Sequence, residues 1–228
     1  MYRILQYWSI YLLRFIPIFF VVSVGIAMYF FAGGNIHDPE QAGYVFTHNF
    51  LSDLGRFQSF TGEPNFVSMF LFNQAMFLFI FIGIGFLFIP SLFSDDKLTY
   101  YIAWIGSSFF FLGTIFFASV GLTPYDLFFD PHVFFAINAF RLLIPGIICY
   151  LIVLIRSKTH KLYTVAISLL LLMTVSYVIY QLTYNDPRES YEAMVQQASI
   201  QKIIALVNVL AMFAFSFAFS DKLSKQTK

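Results

Sequence analysis

Residues 47–56 read THNFLSDLGR and put His48, Ser52, Asp53 and Arg56 within ten positions of a 228-residue chain that is only 11% charged. Three chemistries use such residue types. His48 and Ser52 stand four apart, about one helical turn, so the imidazole can lie beside the hydroxyl as a minimal activated nucleophile. A divalent metal takes three or four His or carboxylate ligands. His37, Asp38, His48, Asp53, Asp126, Asp130 and His132 are of those types, and the set they suggest is His48 and Asp53 with Asp130 or His132. Arg56 and Arg141 carry the forked guanidinium that suits a phosphate or carboxylate. Each chemistry has a plainer counterpart: ordinary polar loop residues for the first two, and for the third an ion pair of Arg141 with Asp53, Glu63, Asp126 or Asp130. There is no HxxxH or HExxH element, and nothing marks an oxyanion hole.

The elements that must position these groups are set by hydrophobicity. The chain is 59% hydrophobic and 21% aromatic, with 32 Phe and a mean hydropathy of +0.76, outside the range of soluble domains. Its apolar runs approach the roughly 20 residues needed to cross a hydrocarbon core of about 30 Å. Backbone groups in lipid must be satisfied within the segment, so these runs are helices. The expectation is an all-α integral membrane bundle of six transmembrane helices, at about 11–32, 66–90, 98–121, 132–156, 161–183 and 199–220. Residues 1–228 form a single domain. The first run is longer than the apolar region of a cleaved signal and no A-x-A-like site follows it, so it reads as the first span. The net charge of +1, with no basic arm, points away from nucleic acid as a partner, and one cysteine, Cys149, excludes an intrachain disulfide.

Basic residues fix an expected orientation. Arg3, Arg14, Lys97, Arg156, Lys158, Lys161, Lys222, Lys225 and Lys228 fall on one side, and Arg56, Arg188 and Lys202 on the other. That bias predicts cytoplasmic N- and C-termini, with a bacterial cytoplasmic membrane as the default location. Asp38, Glu40, Asp53, Glu63, Asp126, Asp130, Asp186, Glu189 and Glu192 then lie outside, where they would attract cations.

The first outer loop, about 33–65, is too long for a mere connector. Phe46, Phe50 and Leu54 recur at helical spacing, opposite a stripe of His48, Ser52 and Arg56, and Gly55 suits a helix end. This predicts a short amphipathic helix on the outer membrane surface or folded over the bundle. Asn65 and Asn73 share a face of the second helix, and Asn73 and Gln74 lie deep enough that they are expected to face other helices. Gly106 and Gly113 on the third let helices approach closely. Asn138 and Arg141 share a face of the fourth. A charge that deep costs about 3 kcal/mol or more, so Arg141 is expected to face the interior, a partner or water. Pro145 removes the helical bond to the Arg141 carbonyl.

At HNFLSDLGR, EPN and VGLTPYDLFFDPH the chain resembles a six-span membrane family classed as domain of unknown function 998. The matching residues are Ser52, Leu54 and Gly55, then Asn65, then Gly121, Pro124, Asp126 and His132. The resemblance covers roughly residues 45–145. It implies six spans with polar residues gathered on one side, a layout similar to FRAG/DRAM/SFK-type proteins, some linked to lipid handling. A second resemblance, through Asn49, Ser52 and Asp53, is to the progestin-receptor/alkaline-ceramidase superfamily of zinc hydrolases. There Asp53 stands where a His is expected, and the last helix carries no histidine.

The function these observations favour is an outward-facing polar pocket taking a lipid head group or other small anion, with membrane lipid as partner. Its ligand-binding candidates are His48, Ser52, Asp53, Arg56, Asn65, Asn73, Asp126, His132, Asn138 and Arg141. The alternatives are a membrane-embedded hydrolase whose cofactor is a divalent metal, held by His48, Asp53, Asp130 and His132, and a membrane scaffold or assembly partner. Residues 47–56 would form a lid over the outer mouth, meeting the second outer loop and Arg141.

Overall fold

Uninterrupted apolar sequence becomes helix wherever it occurs in this chain. The computed structural model describes residues 2–184 and 186–226. Its helices are α1 (Tyr2–Phe30), α2 (Phe66–Phe86), α3 (Lys97–Leu122), α4 (Phe129–Arg156), α5 (Lys161–Thr183) and α6 (Tyr191–Lys225), with two short 3-10 helices at Leu51–Gly55 and Ile89–Phe93. All six long helices have the length and apolarity to cross a membrane, and the chain is a multi-pass membrane protein. The starts of α1 and α6 thus lie on opposite sides, and the start of α1 and the end of α6 share a side, the terminal side. The other is the cap side. Lys228, counted in the basic bias, lies outside the described residues.

The helix ends depart from expectation where polar residues continue a helix. α1 begins at Tyr2 rather than near 11, and α6 runs from Tyr191 to Lys225 rather than 199–220. Gln and Lys are good helix formers that hydropathy does not register. Ser190 starts α6 by accepting from Ala193 N at 3.1 Å, as an N-cap should. α2 stops at Phe86, and Pro90 sits at the first turn of the 3-10 helix that follows. The third and fourth helices pack as the small residues foretell. A methyl at Gly106 would come within 2.9 Å of Cys149 Cβ and 3.0 Å of the Tyr150 ring, and one at Gly146 within 3.2 Å of Phe110.

The terminal side holds the denser core. Phe86 stacks on Phe110 with centroids 4.3 Å apart, and Tyr150, Phe215 and Phe219 close around them at 5.3–6.0 Å. The buried Tyr150 hydroxyl pairs with Ser107 Oγ at 2.7 Å, and Ser107 donates to Phe86 O at 2.7 Å. Asp96 binds Arg156 at 2.6 Å and Lys222 binds Asp95 at 2.9 Å on the surface above. α5 is peripheral: 17% of its apolar window is buried, against 39–50% in the other helices.

Candidate functional site

The cap is a loop that builds its own polar interior. Gly34 adopts φ +78°, and a Cβ there would lie 2.4 Å from Phe60 Cβ, so glycine alone fits. Its carbonyl accepts from Asn49 Nδ2 at 2.7 Å. Asn49 Oδ1 in turn accepts from Val45 N at 2.9 Å and Gln41 Nε2 at 2.7 Å, making this fully buried amide the hub of the loop. The 3-10 helix Leu51–Gly55 follows directly. The expected short helix of this loop is these five residues, and it is pressed into the bundle, with Leu51, Asp53, Leu54 and Gly55 all buried.

Both ends of that turn are anchored to spanning helices. Leu51 N donates to Gln201 Oε1 at 2.8 Å, and Lys202 Nζ donates to Asn49 O and to Ala198 O. At the other end α2 collects the turn's carbonyls. Asn65 Nδ2 donates to Leu54 O at 3.1 Å and Arg56 O at 3.0 Å, Ser68 Oγ to Leu54 O at 3.0 Å, and Asn73 Nδ2 to Gly55 O at 3.4 Å. This approach requires a glycine at 55, where a Cβ would lie 2.7 Å from Phe72 Cδ1.

Asp53 is buried rather than presented on the outer surface. Its Oδ2 accepts from Phe50 N at 2.8 Å and from Asn49 Nδ2 at 3.3 Å. Burial pushes its carboxyl up to about 6, although these bonds and the charges of Arg56 and Lys202 pull the other way. Asp126 is the clamp from the second cap-side loop: its two oxygens accept from Phe57 N and Gln58 N, both at 3.0 Å.

Beneath this roof lies a cavity of about 120 Å³. Phe20 of α1, Met76 and Phe79 of α2, Phe110 and Phe117 of α3, Phe140 of α4 and Val209 of α6 wall it, and Leu51 and Ser52 cover it. The polar side chains that line it are Ser52, Thr114, His132, Gln201 and Asn208, with no Asp, Glu, Lys or Arg among them. His132 bonds Thr123 O through Nδ1 at 2.7 Å. A carbonyl only accepts, so Nδ1 carries the proton and Nε2 is the acceptor of the neutral ring. Gln201 uses Oε1 on Leu51, which leaves its NH2 uncommitted, and the Ser52 hydroxyl has no hydrogen-bond partner among the described residues.

The ten candidates therefore separate. Ser52 and His132 line the cavity. Asp53, Asn65, Asn73 and Asp126 hold the roof. Arg56 lies 3.9 Å over the Phe60 ring and 5.0 Å from that of Tyr125, donating to Gln58 O at 2.9 Å. His48 pairs with Tyr191 OH on the surface and with Thr47 Oγ1 at 2.8 Å, so it is not a base for Ser52. Asn138 turns back to Phe134 O at 2.8 Å. Arg141 is exposed on the outside of the bundle, and neither an interior position nor a contact with the lid is realised. Gln74 is likewise exposed.

The four residues considered for a metal do not converge: His48 is on Tyr191, Asp53 is buried under the lid, Asp130 is exposed and His132 is bonded to Thr123. Among the described residues no three His, Cys, Asp or Glu side chains form a metal-holding group. The pocket anticipated as polar is mostly apolar, because the candidate polar groups are consumed in fastening the roof. Gln201 and Lys202 escaped notice as site residues. The available signal is Gln201 and Asn208 seven apart, on one face of the sixth helix, with Lys202 next to Gln201 at the start of its apolar run. No family model, curated protein or solved structure matches the chain.

Proposed function

We propose that this protein binds a lipid-like molecule with an apolar chain and an uncharged hydroxyl or carbonyl head, the chain occupying the cavity beneath residues 51–52. The observation that carries this reading is a roofed cavity of about 120 Å³ walled by aromatic and aliphatic side chains and free of formal charge. A dry apolar cavity of similar size holds a benzene-sized group, which matches a segment of an acyl or prenyl chain. Ser52 and the Gln201 amide supply donors, and His132 and Asn208 supply acceptors, for a neutral head. An anion finds no cation there, since Arg56 is spent on Phe60 and Lys202 on two carbonyls. The reading keeps the cap side outward, as the basic bias predicts, and would give the resemblance to the six-span family of unknown function a neutral lipid ligand.

Radiolabelled oleyl alcohol, titrated against the protein in nanodiscs, tests it. Saturable binding with one site is expected. Ala205→Phe, which fills the cavity, should weaken it at least tenfold while leaving the melting temperature equal or higher. Oleate should bind at least tenfold more weakly at pH 8. Undiminished binding of the alcohol by Ala205→Phe would remove the proposal.

A further inference from the structure

Arg141 lies on the lipid-facing stripe of α4. Phe134 and Ile148, seven residues to either side, are 56% and 42% exposed, and Ile155 continues the line at 58%. The guanidinium donates to Asn138 Oδ1 at 3.3 Å, one long bond for a group with five donors. α4 has 28 residues, about 42 Å at 1.5 Å each, and Arg141 falls about 18 Å along it, close to its middle. A hydrocarbon core about 30 Å thick puts lipid phosphates beyond the reach of a side chain rooted there. Leaving the charge unmet costs about 3 kcal/mol on insertion scales and more in simulation.

The chain cannot meet it alone. Residues 1–37, 64–94, 97–125, 131–185 and 193–220 contain no Asp or Glu, so neither this molecule nor a second copy brings a carboxylate to that depth. Arg14 is the internal contrast: half-buried, it donates to Ser216 Oγ at 3.1 Å and lies 4.8 Å from the Phe217 ring. Beside Arg141, Pro145 leaves the Arg141 carbonyl without its helical donor, an additional acceptor for an approaching helix.

We propose that the Arg141 face of α4 docks a transmembrane helix of another membrane protein, one that carries an Asp or Glu at mid-depth. Charge complementarity selects the occupant, and the surrounding Phe134 and Ile148 supply the apolar contact.

Synthetic 24-residue leucine-rich helices with a central Asp or a central Leu, co-reconstituted with labelled protein in phosphatidylcholine vesicles, provide the test by energy transfer. The Asp helix should associate at least tenfold more tightly than the Leu helix. Arg141→Leu should abolish that preference, and Arg141→Asp should transfer it to a helix with a central Lys. The charge reversal makes folding separable from recognition, because a misfolded variant gains no new preference. Equal association of the Asp and Leu helices overturns the proposal. So does a result in which Arg141→Leu loses only a bound phosphatidylglycerol in native mass spectrometry, with no change in helix association.

Discussion

On the terminal side, five aromatic side chains from α2, α3, α4 and α6 meet with centroids as close as 4.3 Å, and the one polar contact among them, Ser107 with Tyr150, is satisfied. On the cap side these helices, joined by α1, stand around a cavity of about 120 Å³ and need a separate loop to roof it. Filling a void that size is worth about 3 kcal/mol at roughly 24 cal/mol per Å³. The bundle is thus built tight at one end and open at the other, and it bridges the open end with hydrogen bonds instead of side-chain volume. The aromatic plug gains packing energy, and the roofed end forgoes it at the place where the proposed lipid chain would sit.

The largest effect should come from breaking the plug. Phe86→Ala removes the ring at its centre and should cost about 3–5 kcal/mol, read as a fall in the thermal unfolding midpoint in detergent. Phe79→Ala, at the cavity wall, should cost less than half of that because its neighbours already border a void. Equal losses would mean that the two ends are packed alike.

The next effect is a pH dependence confined to the roof. The folded-state value of Asp53, about 6, lies above the ordinary 3.8. Its contribution to stability is therefore full below about pH 4 and is lost as pH rises through about 6. A shift of that size corresponds to on the order of 3 kcal/mol. The groups facing Asp53 are Asn49, Tyr44 and Arg56 from the loop, Tyr125 from the second cap-side loop and Lys202 from α6. Thermal midpoints measured at pH 5 and pH 7.5 should differ more in the native protein than in Asp53→Asn, with the native protein more stable at the lower pH. An undiminished difference in the Asn variant would assign the titration elsewhere.

The smallest effect sharpens the boundary between the ends. Asp126→Ala frees Phe57 N and Gln58 N, which are exposed enough for water to replace the carboxylate, so the cost should be about 1 kcal/mol. Amide exchange at these two positions should accelerate about fivefold, while amides around Phe110 and Tyr150 keep their rates. Acceleration in both regions would show that roof and plug open as one unit.

The six spans were readable because each apolar run exceeds what any other environment tolerates. Their ends are less legible, since Gln196 and Gln197 extend α6 without adding hydropathy. The lid was legible as a segment folded over the bundle, from its length and the recurrence of Phe50 and Leu54. Its chemistry is less legible: His48, Asp53, Asn65 and Asp126 have the residue types of ligand-binding candidates, yet three of them serve backbone atoms of the loop, and His48 pairs with Tyr191 on the surface. Residue type announces what a group can bond to, and a buried loop carries enough unpaired N–H and C=O groups to claim it first.

What the sequence by itself determined is the number of helices and that α3 offers a face for close approach. Both follow from local quantities, the length of an apolar run and the absence of a side chain at Gly106 and Gly113, whereas the partner, α4 with its Gly146, is written in neither. What only the tertiary structure decided is which face of each helix looks inward. α4 sets its polar Asn138 and Arg141 on one face, which by itself reads as interior, and the cost of burying Arg141 among helices against that of leaving it on the lipid-facing side depends on neighbours far away in the chain. The same is true of the cavity, which belongs to no segment and exists because side chains from five helices stop short of one another.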